Sequence, residues 1–552
     1  MAERWYKEAV IYSLQVDLFA DGDRDGVGDL RGLIAKLDYL SRLGVTCLWL
    51  NPIHPSPRRD DGYDVTDYYA VDPRIGTLGD FAEFILEARE RGMRVIIDLV
   101  VNHTSDEHPW FSSARASRNS PYRDWYVFSD EEPPNRKQGI VFPGEQKETW
   151  SYDDQAGAWY YHRFYDFQPD LNWQNPAVRA EIRKVMGFWL QLGVSGFRVD
   201  AAPFVLETIE PDEEIGPPDF TILDQWREDL QWRRNDAVLL CEANVKPAEL
   251  HKFTGVAQDG PNDRAHLLFA FDLNGRMWLA LARGQAEPLV QALGEMPALQ
   301  AMAQWATFLR NHDELDLSRL TTDQRADVFA AFAPEAGMRL YERGIRRRVA
   351  TMLHRNRRWI ELAYSLQFTM PGTPVLRYGD EIGIGENLDL PGRAALRTPM
   401  QWSDEPHAGF AAPSVPALVV PVERAGAGGY RRLNVRAQQR DPSSLVRWFE
   451  LLISTLRECP EIGVGTCSVV DIGEAPSVLV HQFEAPEGAI LLLHNLSDTP
   501  TTVTIPRREG TDRRPWEVFA DAAYPRPTKT LRGLPINGYG YRWLRLREAS
   551  AD

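Results

Sequence analysis

The stretch LGDFAEFILEARERGMRVIIDLVVNH, residues 78–103, decides the reading of the fold. Its first part, 78–92, spaces apolar side chains as a helix does. Its last part, RVIIDLVVNH (94–103), is a strand-like run, apolar on both faces, that ends in Asn102 and His103. A core strand gains nothing from a polar ending, whereas a strand that opens onto a site needs one. Seven other runs share the form: IYSLQVDLF (11–19), TCLWLNPIH (46–54), SGFRVDA (195–201), AVLLCEAN (237–244), HLLFAFD (266–272), ATFLRNHD (306–313) and PVLRYGDEI (374–382). Helical segments such as PAVRAEIRKVMGFWLQLG (176–193) lie between them. Strand, helix, strand in this order predicts an α/β architecture, a closed (β/α)8 TIM barrel with its active site at the C-terminal strand ends. An open doubly wound sheet also fits the periodicity, but no glycine-rich phosphate turn supports it.

Two stretches break the alternation. The segment 104–171, between the third and fourth runs, is rich in Pro, Ser, Asp, Trp and Tyr. A loop of that length inside a compact domain is usually functional. It predicts an inserted lid domain, 104–171, between barrel parts 1–103 and 172–460. After LRECPEIGVG (456–465), alternating segments such as SVLVHQF, AILLLHNL, TVTIP and GYRWLRL predict a C-terminal antiparallel β-sandwich over 461–552.

The whole chain has 552 residues, 43% of them hydrophobic and 26% charged, the proportions of an ordinary globular protein. Its 62 Lys and Arg against 79 Asp and Glu leave a net charge of −17, which disfavours nucleic acid or an anionic membrane as partner. Cys47, Cys241, Cys459 and Cys467 are too scattered for a disulfide framework or a zinc site. Cys47 and Cys241 lie in apolar runs and are expected to be buried thiols. No apolar run reaches the roughly 18 residues of a membrane span. The opening MAERWYKEAVIY lacks a basic stretch followed by an apolar one, so no signal peptide and a cytoplasmic enzyme are expected. A homo-oligomer is compatible with this composition.

One loop carries a metal pattern. Asp21, Asp23, Asp25 and Asp29 occupy positions 1, 3, 5 and 9 of DGDRDGVGD, with Gly26 at position 6 and the carbonyl of Val27 at position 7. That matches the start of an oxygen cage for Ca2+ or Mg2+. Gly32 replaces the expected Glu and no helix precedes the loop, so it is not an EF-hand. Its place after the first strand suggests a structural ion; a solvated acidic turn is the alternative.

Three acids end strand-like runs: Asp200, Glu242 and Asp313. A buried carboxylate without a partner is costly, so their recurrence at strand ends points to chemistry. Arg198, two residues before Asp200, shares its strand face and should keep Asp200 ionised, as a nucleophile requires. Glu242 follows Leu-Leu-Cys, an apolar setting that should raise its pKa, as a general acid requires. This is the division of labour of a retaining glycosidase.

Those segments, GFRVDA, CEAN, FLRNHD and DLVVNH, resemble the four signature regions of the α-amylase superfamily, and QPDLN (168–172) resembles its fifth. The similarity runs from Trp5 to the end of the chain. It implies that Asp200 forms a covalent glycosyl-enzyme, that Glu242 is acid then base, and that Asp313 binds the reacting sugar's 2- and 3-hydroxyls. It further implies that His103 and His312 donate to that sugar, that Arg198 orients Asp200, and that Tyr63 stacks under the ring. The loop Asp21–Asp29 is similar to the metal loop of the oligo-1,6-glucosidase branch, and no organic cofactor is implied.

Asp60 and Arg397 resemble the acid–arginine clamp that closes over a terminal glucose in chain-end-acting members. Ala-Ala-Pro-Phe after Asp200 replaces the Lys-His pair usual in starch-cleaving amylases. Phe164 and Gln168, near the end of the lid, are candidates to flank the reacting sugar, and Trp402 beside Arg397 is a further site candidate. Trp49 reads as core, and Asp272 ends the sixth run without an assigned role. Within the superfamily the texture is that of the trehalose synthases, in HPSPRRDDGYDV, VVNHTSDEHPWF, YGDEIGIGEN and RTPMQW. That resemblance implies a small α-glucoside substrate and interconversion of maltose and trehalose. Arg377, Val245, the run HLLFAFDLNGRMW and the loop LDLPGRAAL depart from it near the acceptor side. An α-glucosidase or transglucosidase acting on another small α-glucoside therefore stays open, as does an inactive binding or scaffold protein.

Overall fold

A computed structural model describes residues 4–548 apart from 212, 256–262, 474, 487, 507–512 and 529. Eight parallel strands close the expected barrel: β1 (Ile11–Leu14), β2 (Cys47–Leu50), β3 (Arg94–Leu99), β4 (Gly196–Val199), β5 (Val238–Cys241), β6 (Leu267–Phe269), β7 (Gln304–Thr307) and β8 (Thr373–Arg377). Each pairs with the next in chain order, and β8 returns to β1 with Val375 opposite Ile11. Ile11, Trp49, Ile96, Leu240, Phe269 and Val375 fill the interior. Cys47 and Cys241 are buried free thiols in β2 and β5, as expected.

The strands are shorter than the apolar runs. Pairing stops where the strands splay at the mouth, while loops keep the following residues buried, so hydrophobicity outlasts the ladder. Asp272 shows the consequence: β6 ends at Phe269, and Asp272 lies in the first turn of the helix Phe271–Arg283, not at a strand end.

The surrounding helices start where the sequence caps them. The helix Leu78–Glu90 begins with a capping box, in which Thr77 Oγ1 accepts from the Asp80 N–H and Asp80 returns the bond to the Thr77 N–H. Such a cap contributes about 1 kcal/mol. Phe81, Phe84, Ile85 and Ala88 then bury one face. The helix Pro176–Gln191 is capped by Asn175 and opens on Pro176, which has no N–H to leave unpaired.

Between β3 and β4 the lid carries the helix Pro109–Ala116 and a three-stranded antiparallel sheet in which Ala158–Tyr161 lies between Phe128–Ser129 and Trp150–Asp153. Bridges from His103 to Asp170 and from Tyr126 to Leu171 bring it back to the barrel mouth. The C-terminal region is antiparallel, with layers of unequal size. A five-stranded sheet carries Val478, Val480, Leu491 and Leu493 on one face, and a two-stranded sheet, Thr501–Val503 with Leu534–Ile536, packs over them. Its other face, through Leu492, Phe519 and Trp543, joins the core around the barrel. Among the described residues no helix is long and apolar enough to cross a membrane.

Candidate active site

Asp200 and Glu242 directly follow β4 and β5, so the barrel itself places them side by side at the mouth. Arg198, in β4 and 1% exposed, joins them. Its Nη1 donates to Asp200 Oδ1 at 2.5 Å and to Asp98 Oδ1 at 2.6 Å, and its Nη2 donates to Glu242 Oε2. One guanidinium therefore serves three carboxylates, not the single one the sequence suggested. Asp98, from β3, also accepts from Trp49 Nε1 at 3.1 Å. Trp49 is core, as expected, but its indole N–H anchors this network.

The two carboxyls differ in proton affinity in the expected order. Burial pushes Asp200 up to about 6, against the pull of Arg198 and helped by Asp98 and Asp313. Burial pushes Glu242 up to about 7, again against Arg198. The raised value of Glu242 thus comes from desolvation despite an ion pair, not from an apolar setting alone. Ala201 takes the left-handed conformation, φ 48°, straight after Asp200, and its N–H points to Glu242 Oε2 at 3.3 Å. A non-glycine residue there stores about 1–3 kcal/mol of strain, a feature of functional turns.

Asp313 lies on the loop after β7. Burial raises its pKa, but Arg393, His312 and Arg397 together hold it well below the usual carboxylate range. Arg397 Nη2 donates to Asp313 Oδ1 at 3.0 Å, Arg393 Nη1 approaches at 3.2 Å, and His312 Nε2 lies 3.0 Å from Oδ2. Asn51 Nδ2 faces His312 Nδ1 at 3.2 Å, which leaves Nε2 as the donor toward Asp313 and Tyr63. Tyr63 stacks on His312 with planes inclined by 6° and ring centroids 5.4 Å apart. Burial lowers His103 and His312 to about 4, so both are neutral at pH 7.

The clamp differs from expectation by one residue. Arg397 pairs with Asp61, not Asp60. Asp61 adopts φ 49°, which swings its carboxylate toward Arg397. Asp60 instead accepts from Gln168 Nε2 at 3.0 Å. Gln168 is fully buried and also bonds the Tyr63 carbonyl, so it braces Asp60 from behind. Trp402 is not a site residue. Its ring packs edge-on against Phe19 and Tyr39 and its N–H is spent on the Phe19 carbonyl. Arg377 is not at the mouth surface but 1% exposed, beneath it.

A cavity of about 490 Å3 collects Asp60, Tyr63, His103 and Phe164 with Asp200, Glu242 and Asp313. Arg198, His312, Arg397 and Gln168 stand behind these walls. Further lining comes from Phe204, Asn244 and Val245 of the barrel and from Val141 and Phe142 of the lid. Phe142 stacks on Tyr341, and Arg343 Nη2 donates to the Val141 carbonyl at 2.9 Å. Arg393 lies over both rings, 5.1 Å from Phe142 and 5.4 Å from Tyr341. Sequence reasoning gave Asp98 only as part of a signature region, without a role, and missed Asn51, Asp61, Arg393 and this aromatic pair. Asp98 and Arg393 stood inside quoted segments, but nothing in their spacing showed where they point.

In the acidic loop, Asp21, Asp23 and Asp29 bring carboxylate oxygens within 4.8 Å of one another. Asp25 is not among them; its Oδ1 accepts from the Val27 N–H at 2.8 Å. Asp29 holds the turn by accepting from Gly22, Asp23 and Gly32. Glycine at position 32 has a steric reason, since a Cβ there would sit 2.0 Å from the Ala20 carbonyl oxygen. Burial, then repulsion from Asp25, Asp29 and Asp21, raises the pKa of Asp23. A cation would relieve that repulsion, and an all-oxygen donor set suits Ca2+ or Mg2+.

The family model described as the α-amylase catalytic domain matches residues 13–334 and 344–462. The trehalose synthase/amylase of Mycolicibacterium smegmatis is 38% identical over 99% of this chain and 93% of its own length. The oligo-1,6-glucosidase of Parageobacillus thermoglucosidasius is 30% identical over 92% of this chain and 93% of its own. Among solved structures, a mutant of the trehalulose synthase MutB of Pseudomonas mesoacidophila superposes with a TM-score of 0.77 at 26% identity, covering 98% of this chain and all of that one.

Proposed function

The chain belongs to the α-amylase family, and on that premise we propose that this enzyme interconverts maltose and trehalose through a covalent β-glucosyl-enzyme. The observation that carries the reading is the cavity. Two strand-end carboxylates bridged by one guanidinium face a pocket of disaccharide size, closed behind by Arg397 and Asp61 and roofed by the lid. The similarity to a trehalose synthase/amylase over nearly the full chain supports it.

In this account Asp200 attacks the anomeric carbon while Glu242 gives its proton to the departing oxygen. Asp313, kept ionised by Arg393 and Arg397, holds sugar hydroxyls more tightly as the ring takes on oxocarbenium character. The released glucose stays under the lid, turns, and presents its anomeric hydroxyl. Glu242 then accepts the proton of that hydroxyl as its oxygen displaces Asp200. Excluding water decides between transfer and hydrolysis. The same reading gives the loop at Asp21, Asp23 and Asp29 a structural Ca2+ or Mg2+, remote from these steps.

A second reading, α-glucosidase or transglucosidase, is favoured by Val245 in the wall of the leaving-group side, where it offers no hydrogen bond to an acceptor. Both readings share the covalent step. Incubation with 5-fluoro-α-glucosyl fluoride followed by peptide mass mapping tests it: a hexosyl label on Asp200 is expected. A label on another residue, or turnover retained by Asp200→Ala, would overturn the assignment.

A further inference from the structure

Three consecutive carbonyls precede and include the sugar-binding acid, and each is taken by a different arginine. Asn311 O accepts from Arg377 Nη1 at 2.5 Å, His312 O from Arg397 Nε at 3.0 Å, and Asp313 O from Arg310 Nη2 at 2.6 Å. Arg377 spends its second nitrogen on Leu396 O at 2.8 Å, the carbonyl just before Arg397. Among the described residues none of these four carbonyls accepts from a backbone N–H. The segment lies beyond the end of β7, so no ladder fixes it.

Arg377 and Arg310 are 1–2% exposed, and among the described residues neither has a carboxylate within ion-pair reach. Burial, aggravated by Arg348, pulls Arg377 down to about 9. Asp380 attracts both cations from beyond contact distance, but a buried cation with no carboxylate in contact is a poor way to fill a core, because an apolar residue would pack without the desolvation penalty. What the guanidinium offers, and an apolar residue does not, is a planar fork that bonds two carbonyls at once.

We propose that Arg377 is a positioning residue. By gripping Asn311 O and Leu396 O it locks the His312–Asp313 loop against the Arg397 segment, so that the carboxylate and the guanidinium that meet over the reacting sugar are set at a fixed distance. The proposal rests on the reading of Asp313 as the acid that binds that sugar. Displacement of such a group by about an ångström is enough to lose on the order of 100-fold in rate.

The test uses the full chain with 4-nitrophenyl α-glucoside as reporter and 1-deoxynojirimycin as a cationic mimic of the reacting sugar. Arg377→Met is expected to lower kcat about 100-fold, with KM and inhibition by glucose changed less than about threefold, and with inhibition by 1-deoxynojirimycin weakened in parallel with kcat. Arg377→Lys, which keeps the charge but reaches one carbonyl, should recover part of the loss. A kcat within threefold of wild type in Arg377→Met, or a rise in KM alone, would overturn the proposal. If Arg377→Met does not fold, a wild-type kcat in Arg377→Lys overturns it. Failure of both to fold makes Arg377 a folding residue and overturns it equally. Asp313→Asn separates the two layers: retained turnover there defeats the reading of the site itself. Loss there, with Arg377 variants at wild-type rate, defeats only this inference.

Discussion

Phe142 of the lid stacks on Tyr341 of the barrel, with ring centroids 4.7 Å apart and planes inclined by 29°. Tyr341 and the next residue, Glu342, both take positive φ, 52° and 58°, in the turn between the paired strands Arg339–Leu340 and Gly344–Ile345. Phe142 lines the cavity, and on the proposed function the pair closes the side where the leaving sugar would rest. Removing the ring in Phe142→Ala should admit water and raise the share of hydrolysis roughly fivefold while total cleavage changes little. The ratio of glucose to transfer product, by chromatography, measures it. An unchanged ratio would mean that the pair does not seal the pocket.

The acid pair sets the pH profile. The proposed mechanism needs Asp200 ionised and Glu242 protonated, and their values of about 6 and about 7 leave a narrow window. kcat/KM is expected to fall below about pH 6 as Asp200 gains a proton, and above about pH 7 as Glu242 loses one. The two limbs belong to the coupled pair, not to either residue alone. A flat profile from pH 4 to 9 would contradict the assignment.

A structural ion at Asp21, Asp23 and Asp29 predicts that chelation lowers the melting temperature by several degrees, since a ligand at a hundred times its Kd contributes about 2.7 kcal/mol. Turnover measured well below that temperature should barely change, because the loop stands apart from the cavity. Calorimetry with and without a chelator, and with Asp23→Asn, checks both halves. A protein free of metal by elemental analysis that melts at an unchanged temperature would make the loop a solvated turn.

Acid should weaken the junction between the barrel and the C-terminal sheet. His481 and His494 are fully buried there and stacked 5.7 Å apart, with His481 bonded to the Thr369 carbonyl and His494 to Ser365. Burial lowers His481 to about 4, whereas an unfolded histidine titrates near 6.5. The unfolded chain therefore takes up the proton first, and stability is lost as pH falls from about 6.5 toward 4. The loss is about 3 kcal/mol for this residue. His481→Gln, which keeps a donor for Thr369, should flatten the fall in melting temperature over that range. An identical slope would refute it.

The sequence made the barrel legible because its strands are buried on both faces and end abruptly in polar residues. Asp200 and Glu242 follow their strands without a gap, so pattern alone placed them. Pattern also put Asp313 at a strand end, whereas the strand stops at Thr307 and arginines, not a ladder, fix the loop that carries it. Asp60 and Asp61 could not be told apart because a left-handed turn, not strand alternation, decides which one faces Arg397. Trp402 misled because proximity in sequence to Arg397 says nothing about direction; its ring packs into the core against Phe19. The pairing of Phe142 with Tyr341 joins two loops distant in the chain, and no local signal announces it.

The most direct measurement is the product spectrum of the purified enzyme given maltose and, separately, trehalose, followed over time by chromatography and NMR. Trehalose from maltose and maltose from trehalose, converging on one mixture with glucose as a minor product, are expected. Glucose as the main product from both sugars, with neither disaccharide converted to the other, would contradict the proposed interconversion.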